Sequence, residues 1–227
     1  MLEEVHNKLA DFVKPGISTL EIDQFGEKAI RDLGCVPNFL NYNGYPASIC
    51  VSVNDEVVHG IPSKDRILQD GDIVSLDAGL IHEGYHSDAA RTHAVGNISE
   101  EAKRLIEVTK QSFFEGIKYA KAGHHLNEIG AAIGDYAESF GYGVVEELCG
   151  HGIGRNLHED PEIPNFRQKR RMDICLRRKS RSKHLRQKEN SCIMTVLSRL
   201  LKFEKKRLKI RNRTGENICF IPCQQQC

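Results

Sequence analysis

The chain has 227 residues, of which 40% are hydrophobic and 28% charged, which is enough for one sizeable core and leaves no need for a second catalytic domain. Neither end has an apolar run near the ~20 residues of a membrane span, or the basic-then-apolar order of a signal peptide, so we expect a cytoplasmic protein without a membrane partner. The net charge of +1 hides two halves: residues 1–167 carry 14 Lys+Arg against 27 Asp+Glu (−13), and residues 168–227 carry 18 against 4 (+14). This break predicts a folded domain over residues 1–168 and a basic tail over residues 169–227.

Two helices are predicted first. Residues 2–13 form the first, which Lys14-Pro15-Gly16 ends. Ser18 and Glu21 have the spacing of a capping box and open the second, which ends at Gly34.

Strands are predicted next, over residues 49–53, 72–80 and 85–95, with a glycine-containing turn between the last two. A third helix starts at Ser99, a fourth covers residues 127–140, and residues 143–147 return to strand. Helices that alternate with antiparallel strands predict an α+β fold.

Asp77 and Asp88 lie on the two strands that flank the turn. If the hairpin is centred between His82 and Glu83, the two aspartates are directly opposite, with both side chains on one face. Like charges in that position destabilise a sheet unless a proton, a basic group or a cation is shared between them. A divalent cation satisfies this geometry best, while a solvated acidic hairpin is the alternative.

Histidines in glycine-rich settings are the other candidate ligands. His151 lies in Gly150-His151-Gly152-Ile153-Gly154, where small neighbours permit close approach, and His158 follows soon after. This G-x-G-x-G pattern is not a dinucleotide fingerprint, since no βαβ unit surrounds it. His59 ends an apolar run before a turn, where a histidine taken alone is more often a hydrogen-bonded structural residue than a catalyst. The remaining histidines considered are expected to be surface or packing residues: His82, His86, His93, His124 and His125.

The order and spacing of these motifs resemble those of the type I methionine aminopeptidases of peptidase family M24. His59 and Asp77 are 18 residues apart, Asp88 follows after 11, His151 after 63 and His158 after 7. The matching segments are Asn43-Gly44-Tyr45-Pro46-Ala47-Ser48-Ile49-Cys50, Val58-His59-Gly60-Ile61-Pro62, Asp70-Gly71-Asp72-Ile73-Val74, Ser87-Asp88, Cys149-Gly150-His151-Gly152-Ile153-Gly154 and His158-Glu159-Asp160-Pro161.

The resemblance implies a pita-bread fold and a centre of two divalent ions, with Co, Mn, Fe, Zn and Ni all open. By position, Asp77 would bind one ion, Asp88 would bridge both and His151 would bind the other. His59 and His158 would act on the substrate. Four residues would line the methionine pocket: Tyr42, Tyr45, Cys50 and Leu157. The implied activity is removal of the initiator methionine from nascent proteins that have a small second residue, by a monomer that could act at the ribosome.

The family's last two metal ligands are glutamates that follow His158, one in a Glu-Pro-Met-like strand and one near the chain end. The glutamates after residue 168 are Glu189, Glu204 and Glu216, and none has a strand-like apolar setting. The resemblance therefore implies an incomplete metal site, and an inactive chain if nothing replaces the two ligands.

The match to the family fails around Arg170-Arg171, where charge and cysteine content also change. A frameshift would produce this abrupt loss, and a disordered basic tail is the other reading. The alternative function is a non-catalytic protein of the same fold that binds ribosomal RNA or another polyanion through residues 169–227.

Overall fold

In this computed structural model, the described part of the chain comprises residues 1–169, residue 176 and the backbone of residues 201–202. Nearly all of the predicted basic tail therefore lies outside the described residues. None of the described helices is long and apolar enough to cross a membrane.

Helices α1 (Leu2–Phe12) and α2 (Thr19–Asp32) come first, as predicted. The capping box at the start of α2 is present, because the Ser18 side chain accepts a hydrogen bond from the Glu21 amide and the Glu21 carboxylate accepts one from the Ser18 amide. Asp23 then joins α2 to the sheet, since its Oδ1 accepts hydrogen bonds of 2.8 Å from the amides of Ser48 and Ile49.

A four-stranded antiparallel sheet is built around β3 (Ile73–His82). Strand β4 (Tyr85–Ala94) pairs with β3 along its whole length. On the other edge of β3, β1 (Val36–Pro37) and β2 (Ile49–Val53) lie end to end. The strands predicted over residues 49–53, 72–80 and 85–95 are therefore present within two residues of their predicted ends. A short 3-10 helix, Tyr42–Gly44, connects β1 to β2.

The two faces of this sheet have different neighbours. One face packs against α1 and α2 in an apolar core that includes Leu9, Ile22, Ile49 and Leu76. Because side chains alternate along a strand, Cys50, Asp77 and Asp88 point to the opposite face. The helices thus seal one side and leave the other for a site.

Helices α3 (Glu100–Ile117) and α4 (Leu126–Ser139) form the second part of the molecule. They approach closely: a Cβ added to Gly116 would lie 2.6 Å from Ile133 Cγ1. The Ser99 cap of α3 is present as predicted, with its side chain accepting from the Ala102 amide.

Four short strands follow α4 in the described part of the chain. Strand β5 (Gly143–Val144) is shorter than the predicted 143–147, because the chain turns at residues 146–147, and it pairs with β8 (Leu201–Lys202). Strands β6 (Gly150–Gly152) and β7 (Glu159–Ile163) form a separate antiparallel pair. Strand β6 carries His151.

Candidate metal centre and substrate pocket

The β3–β4 hairpin places its two aspartates diagonally, so their predicted direct opposition is wrong. Asp77 pairs with Ala90, and Asp88 pairs with Gly79. The cause is the turn, which consists of Glu83 and Gly84 alone, with φ of 50° and 75°. The shift by two residues keeps both carboxylates on one face, on diagonal neighbours whose Cα atoms are typically about 7–8 Å apart.

Both aspartates are buried, with 7% of Asp77 and 2% of Asp88 exposed. Asp88 Oδ1 is enclosed and has no hydrogen-bond partner. A buried carboxylate oxygen in that state is energetically costly unless a cation or a proton compensates it. This oxygen fits the donor set that a divalent cation requires.

His151 faces Asp88 across the sheet edge. Its Nε2 lies 3.7 Å from Asp88 Oδ2 and has no hydrogen-bond partner, although it is buried. Its Nδ1 is 2.9 Å from the Gly152 carbonyl, which can only accept, so Nδ1 carries the proton and Nε2 presents its lone pair. This backbone anchor is the usual way in which a protein fixes the tautomer of a metal-binding histidine.

Asp88 and His151 therefore fit a metal ion. Within residues 1–169, however, no group of three His, Cys, Asp or Glu side chains is close enough to hold an ion. Asp77 lies on the same face of the sheet as Asp88, but it does not complete a group of three ligands with Asp88 and His151.

His158 lies beside His151, with ring centroids 4.1 Å apart. A hydrogen bond of 2.9 Å joins its Nδ1 to the Tyr42 hydroxyl. When that hydroxyl donates, the ring proton lies on Nε2, where the imidazole can donate to a substrate. The structure thus brings Asp88 together with His151 and His158, which come from two distant parts of the sequence.

An apolar cluster adjoins this group. It contains the four residues predicted to line the methionine pocket, together with Phe39, Ala47 and Ile153, which sequence reasoning missed. Cys50 pairs with Asp77 in the β2–β3 register, so the two side chains share a face and the cluster borders the acidic part of the site. The members of the cluster are Phe39, Tyr42, Tyr45, Ala47, Cys50, Ile153 and Leu157.

Tyr45 links the cluster to the segment that carries His59. Its hydroxyl donates to the carbonyls of Gly60, at 2.9 Å, and Ile49, at 3.3 Å. Burial raises the pKa of Tyr45, so it remains a neutral donor. Gly60 is pressed against β2, because a Cβ there would lie 2.2 Å from the Val51 carbonyl oxygen.

His59 itself has a φ of 57°. This left-handed conformation is uncommon for residues other than glycine, although histidine adopts it more often than most, and it fixes the direction in which the imidazole leaves the backbone. His59 directly precedes Gly60, whose carbonyl accepts the hydrogen bond from Tyr45 of the apolar cluster.

Asn38 is a buried polar residue that sequence reasoning missed. A Cβ on Gly79, the partner of Asp88, would lie 2.1 Å from Asn38 Oδ1. The Asn38 amide also donates to the Ser87 carbonyl at 3.2 Å. No signal in the sequence marks it, since the contact requires β1 to lie on β3.

The segment that carries His158 is attached to the start of β4. The His86 amide donates to the Gly154 carbonyl at 2.7 Å, and the Arg155 guanidinium lies 4.9 Å from the centroid of the Tyr85 ring. Motions of this segment relative to the hairpin are therefore restrained at both of these contacts.

Known proteins are similar to the chain in sequence. The sequence profile described as metallopeptidase family M24 matches residues 1–186. A methionine aminopeptidase of Clostridium acetobutylicum is 53% identical over 163 residues, which cover 72% of this chain and 65% of that protein. Methionine aminopeptidase 1 of Bacillus subtilis is 51% identical over 161 residues, covering 71% and 64%.

Solved structures are similar as well. A methionine aminopeptidase of Thermotoga maritima has a TM-score of 0.73 and 37% identity, and covers 76% of this chain and 69% of that one. A methionine aminopeptidase of Rickettsia prowazekii has a TM-score of 0.71 and 40% identity, covering 73% and 66%. These matches confirm the predicted pita-bread fold. The chain spans 64–65% of the length of the first two curated relatives.

Proposed function

Since the chain belongs to metallopeptidase family M24, and within it to the type I methionine aminopeptidases, we propose that it hydrolyses the bond after an N-terminal methionine. The observation that supports this most directly is the pairing of Asp88 and His151. Two buried donor atoms without hydrogen bonds, Asp88 Oδ1 and His151 Nε2, lie in neighbouring side chains beside the His158 ring.

Asp88 and His151 would hold the metal, the histidine through Nε2, and Asp77 would have to move toward them when the ion binds. Divalent ions at such a site act as Lewis acids and make an activated water available near neutral pH. The identity of the ions, and whether there are two, belong to the proposal. The glutamates after residue 168 lie outside the described residues. Which residues supply the two further carboxylate ligands is therefore also part of the proposal.

His158 would stabilise the oxyanion that develops on the methionyl carbonyl. The Tyr42 hydroxyl at its Nδ1 supports this role, because a ring protonated on Nε2 has its donor fixed before the reaction starts. An oriented donor in a site that excludes water stabilises developing charge more than a mobile one. His59 would contact the scissile amide from the other side.

The apolar cluster around Tyr45 and Cys50 would receive the methionine side chain. Aromatic rings and a thiol suit a thioether, which makes favourable contacts with ring edges and packs into irregular spaces. The pocket predicts a preference for an unbranched apolar first residue. The pocket borders Asp77, so a methionine side chain bound there would place the scissile carbonyl near the metal.

The test is release of methionine from Met-Ala-Ser by the full chain with added cobalt or manganese. Turnover is expected with either ion, and none after chelation. His151→Gln should abolish turnover and weaken metal binding measured by calorimetry. The matched replacement His124→Gln, in the loop between α3 and α4, should leave both unchanged. Metal binding without turnover would reject the proposed activity but not the metal centre. If His151→Gln kept both turnover and metal binding, the metal centre itself would be rejected.

The tail-binding alternative has no support in the curated relatives named above, which are methionine aminopeptidases. Its residues 169–227 lie almost entirely outside the described part of the chain. Cytoplasmic location, a monomeric state and action on nascent chains at the ribosome remain parts of the proposal.

A further inference from the structure

A second group of donor atoms lies away from the aspartates, where the start of α1 meets the sheet. The Cys35 thiol is 3.4 Å from the Met1 thioether sulfur and 3.8 Å from His82 Nδ1. Cys35 precedes β1, and His82 is the last residue of β3. His82 and Asp77 are five positions apart on β3, which corresponds to about 17 Å at the rise of a strand.

The three atoms have the chemistry of a soft-metal site. Thiolate and thioether ligands select copper(I), and imidazole is compatible with the same ion. The hydrogen-bond contacts of the Cys35 thiol in the described part of the chain are with Met1, His82 and the Leu33 carbonyl, and carboxylates, which favour hard divalent ions, are not among them.

The spacing agrees with insertion of an ion. For metal bonds of about 2.3 Å to sulfur and about 2.0 Å to nitrogen, a tetrahedral centre separates two sulfurs by about 3.8 Å and a sulfur from a nitrogen by about 3.5 Å. The observed 3.4 Å and 3.8 Å lie within about 0.4 Å of these values. Small rotations of the side chains would admit the ion.

Charge also favours a monovalent ion. Cys35 is 4% exposed, and burial raises the pKa of its thiol, so the sulfur carries its proton in the empty site. On binding, the S–H bond breaks, the proton leaves to solvent and the sulfur donates to the metal. A thiolate with a singly charged ion is neutral overall, which avoids the penalty of a net buried charge.

The site has an entry route. Met1 is half exposed at 52%, and Val36, next to Cys35, is 53% exposed. An ion can therefore reach the thiol from solvent past a flexible thioether, which is among the most adaptable side chains.

We propose that Met1, Cys35 and His82 form a binding site for one copper(I) ion, which would fasten the start of α1 to β1 and β3. The occupant is a single soft cation, and the site is separate from the centre that Asp88 and His151 would form.

The test is anaerobic titration of the full chain with copper(I) against a chromophoric chelator. Cys35→Ser should lower the bound copper by one equivalent. Loss of outer partners of a ligand typically weakens metal binding 10–100-fold, so loss of a direct ligand in His82→Gln should weaken this equivalent at least tenfold. The matched control is His124→Gln, a partly exposed histidine on the other side of the molecule, which should bind as the unmodified chain does.

Copper bound by the cysteines after residue 169 contributes equally to all of these variants, so the differences isolate the proposed site. Because Cys35→Ser buries a hydroxyl and could impair folding, the partly exposed His82→Gln serves as the second variant, with folding checked by circular dichroism. Equal stoichiometry and affinity in His82→Gln and the unmodified chain would overturn the proposal. A selenomethionine-labelled chain should also show copper–selenium scattering, and its absence would remove Met1 as a ligand and overturn the three-residue site.

Discussion

Tyr42 and His158 are 116 positions apart in the sequence, yet one hydrogen bond of 2.9 Å joins them. At the scale of single residues, the site depends on such second partners, which hold a functional ring in one orientation. The Gly152 carbonyl does the same for His151. An imidazole that is otherwise free to rotate loses much of its catalytic value, because its donor points elsewhere for much of the time.

Tyr42→Phe tests the orientation of His158. It removes only the hydroxyl, so we expect kcat/KM for Met-Ala-Ser to fall about fivefold, corresponding to ~1 kcal/mol for one neutral hydrogen bond. The melting temperature should hardly change. In the His158→Ala background the same replacement should have no further effect; a full fivefold loss there would show that Tyr42 acts independently of His158.

His6 couples helix α1 to β4 through a hydrogen bond of 2.8 Å to the Ala89 carbonyl. Burial, followed by the nearby Arg91 and His93, lowers the pKa of His6 from 6.5 to about 4. Between these values the unfolded chain binds a proton that the folded chain does not, so stability is full above pH 6.5 and falls as the pH decreases toward 4.

Urea denaturation at pH 7 and pH 5 measures this effect. His6 should contribute about 2 kcal/mol to the loss of unfolding free energy over that interval. His6→Gln, which keeps a donor for Ala89, should lose about 2 kcal/mol less than the unmodified chain. An identical pH dependence in the two proteins would refute the assignment to His6.

At the scale of elements, the β3–β4 hairpin determines the position of both aspartates. Its two-residue turn has positive φ at Glu83 as well as Gly84, the conformation of the type I′ turn, in which Asn-Gly is preferred. Glutamate is not preferred in this conformation, so the turn is held by the pairing of the strands rather than by its own sequence.

Two replacements in the turn should have opposite effects. Glu83→Asn should raise the unfolding free energy by ~1 kcal/mol, and Gly84→Ala should lower it by a similar amount, because the left-handed conformation costs an ordinary residue ~1–2 kcal/mol. Glu83→Gln is the control for loss of charge and should have little effect. Thermal denaturation gives all three values; a destabilising Glu83→Asn would contradict the assigned turn.

The same hairpin shows where sequence reasoning succeeds and where it stops. The Ser18–Glu21 cap was predictable because all its partners lie within three residues. The register of Asp77 was not, because the sequence Glu83-Gly84 does not identify a type I′ turn by composition. Phe39, Asn38 and Ile153 join the site only through tertiary packing, which leaves no local pattern.

At the scale of the whole molecule, helices cover one face of the sheet and the buried acids lie on the other. Asp88 carries an enclosed oxygen without a hydrogen bond, so the fold retains a group that costs stability when no cation is bound. A ligand that binds only the folded chain offsets this cost by mass action.

Asp88→Asn separates these two effects. Without added metal the variant should be more stable than the unmodified chain, because a neutral amide replaces a buried charge of the same shape. With cobalt or manganese at 100 times the dissociation constant, the unmodified chain should gain about 2.7 kcal/mol and the variant none. Asp55→Asn, at an exposed turn, should behave as the unmodified chain in both conditions, and a metal response retained in Asp88→Asn would argue against its role as a ligand.

The tight turn at Glu83-Gly84 also determines the order in which the site assembles. Asp77 and Asp88 are 11 positions apart and come together when the hairpin closes, whereas His151 is 63 positions from Asp88. Closure entropy grows with loop length, and local contacts form first. During folding the two carboxylates therefore approach each other before the histidine arrives, and cations that bind this half-formed pair would speed the hairpin step without yet being held by the finished centre.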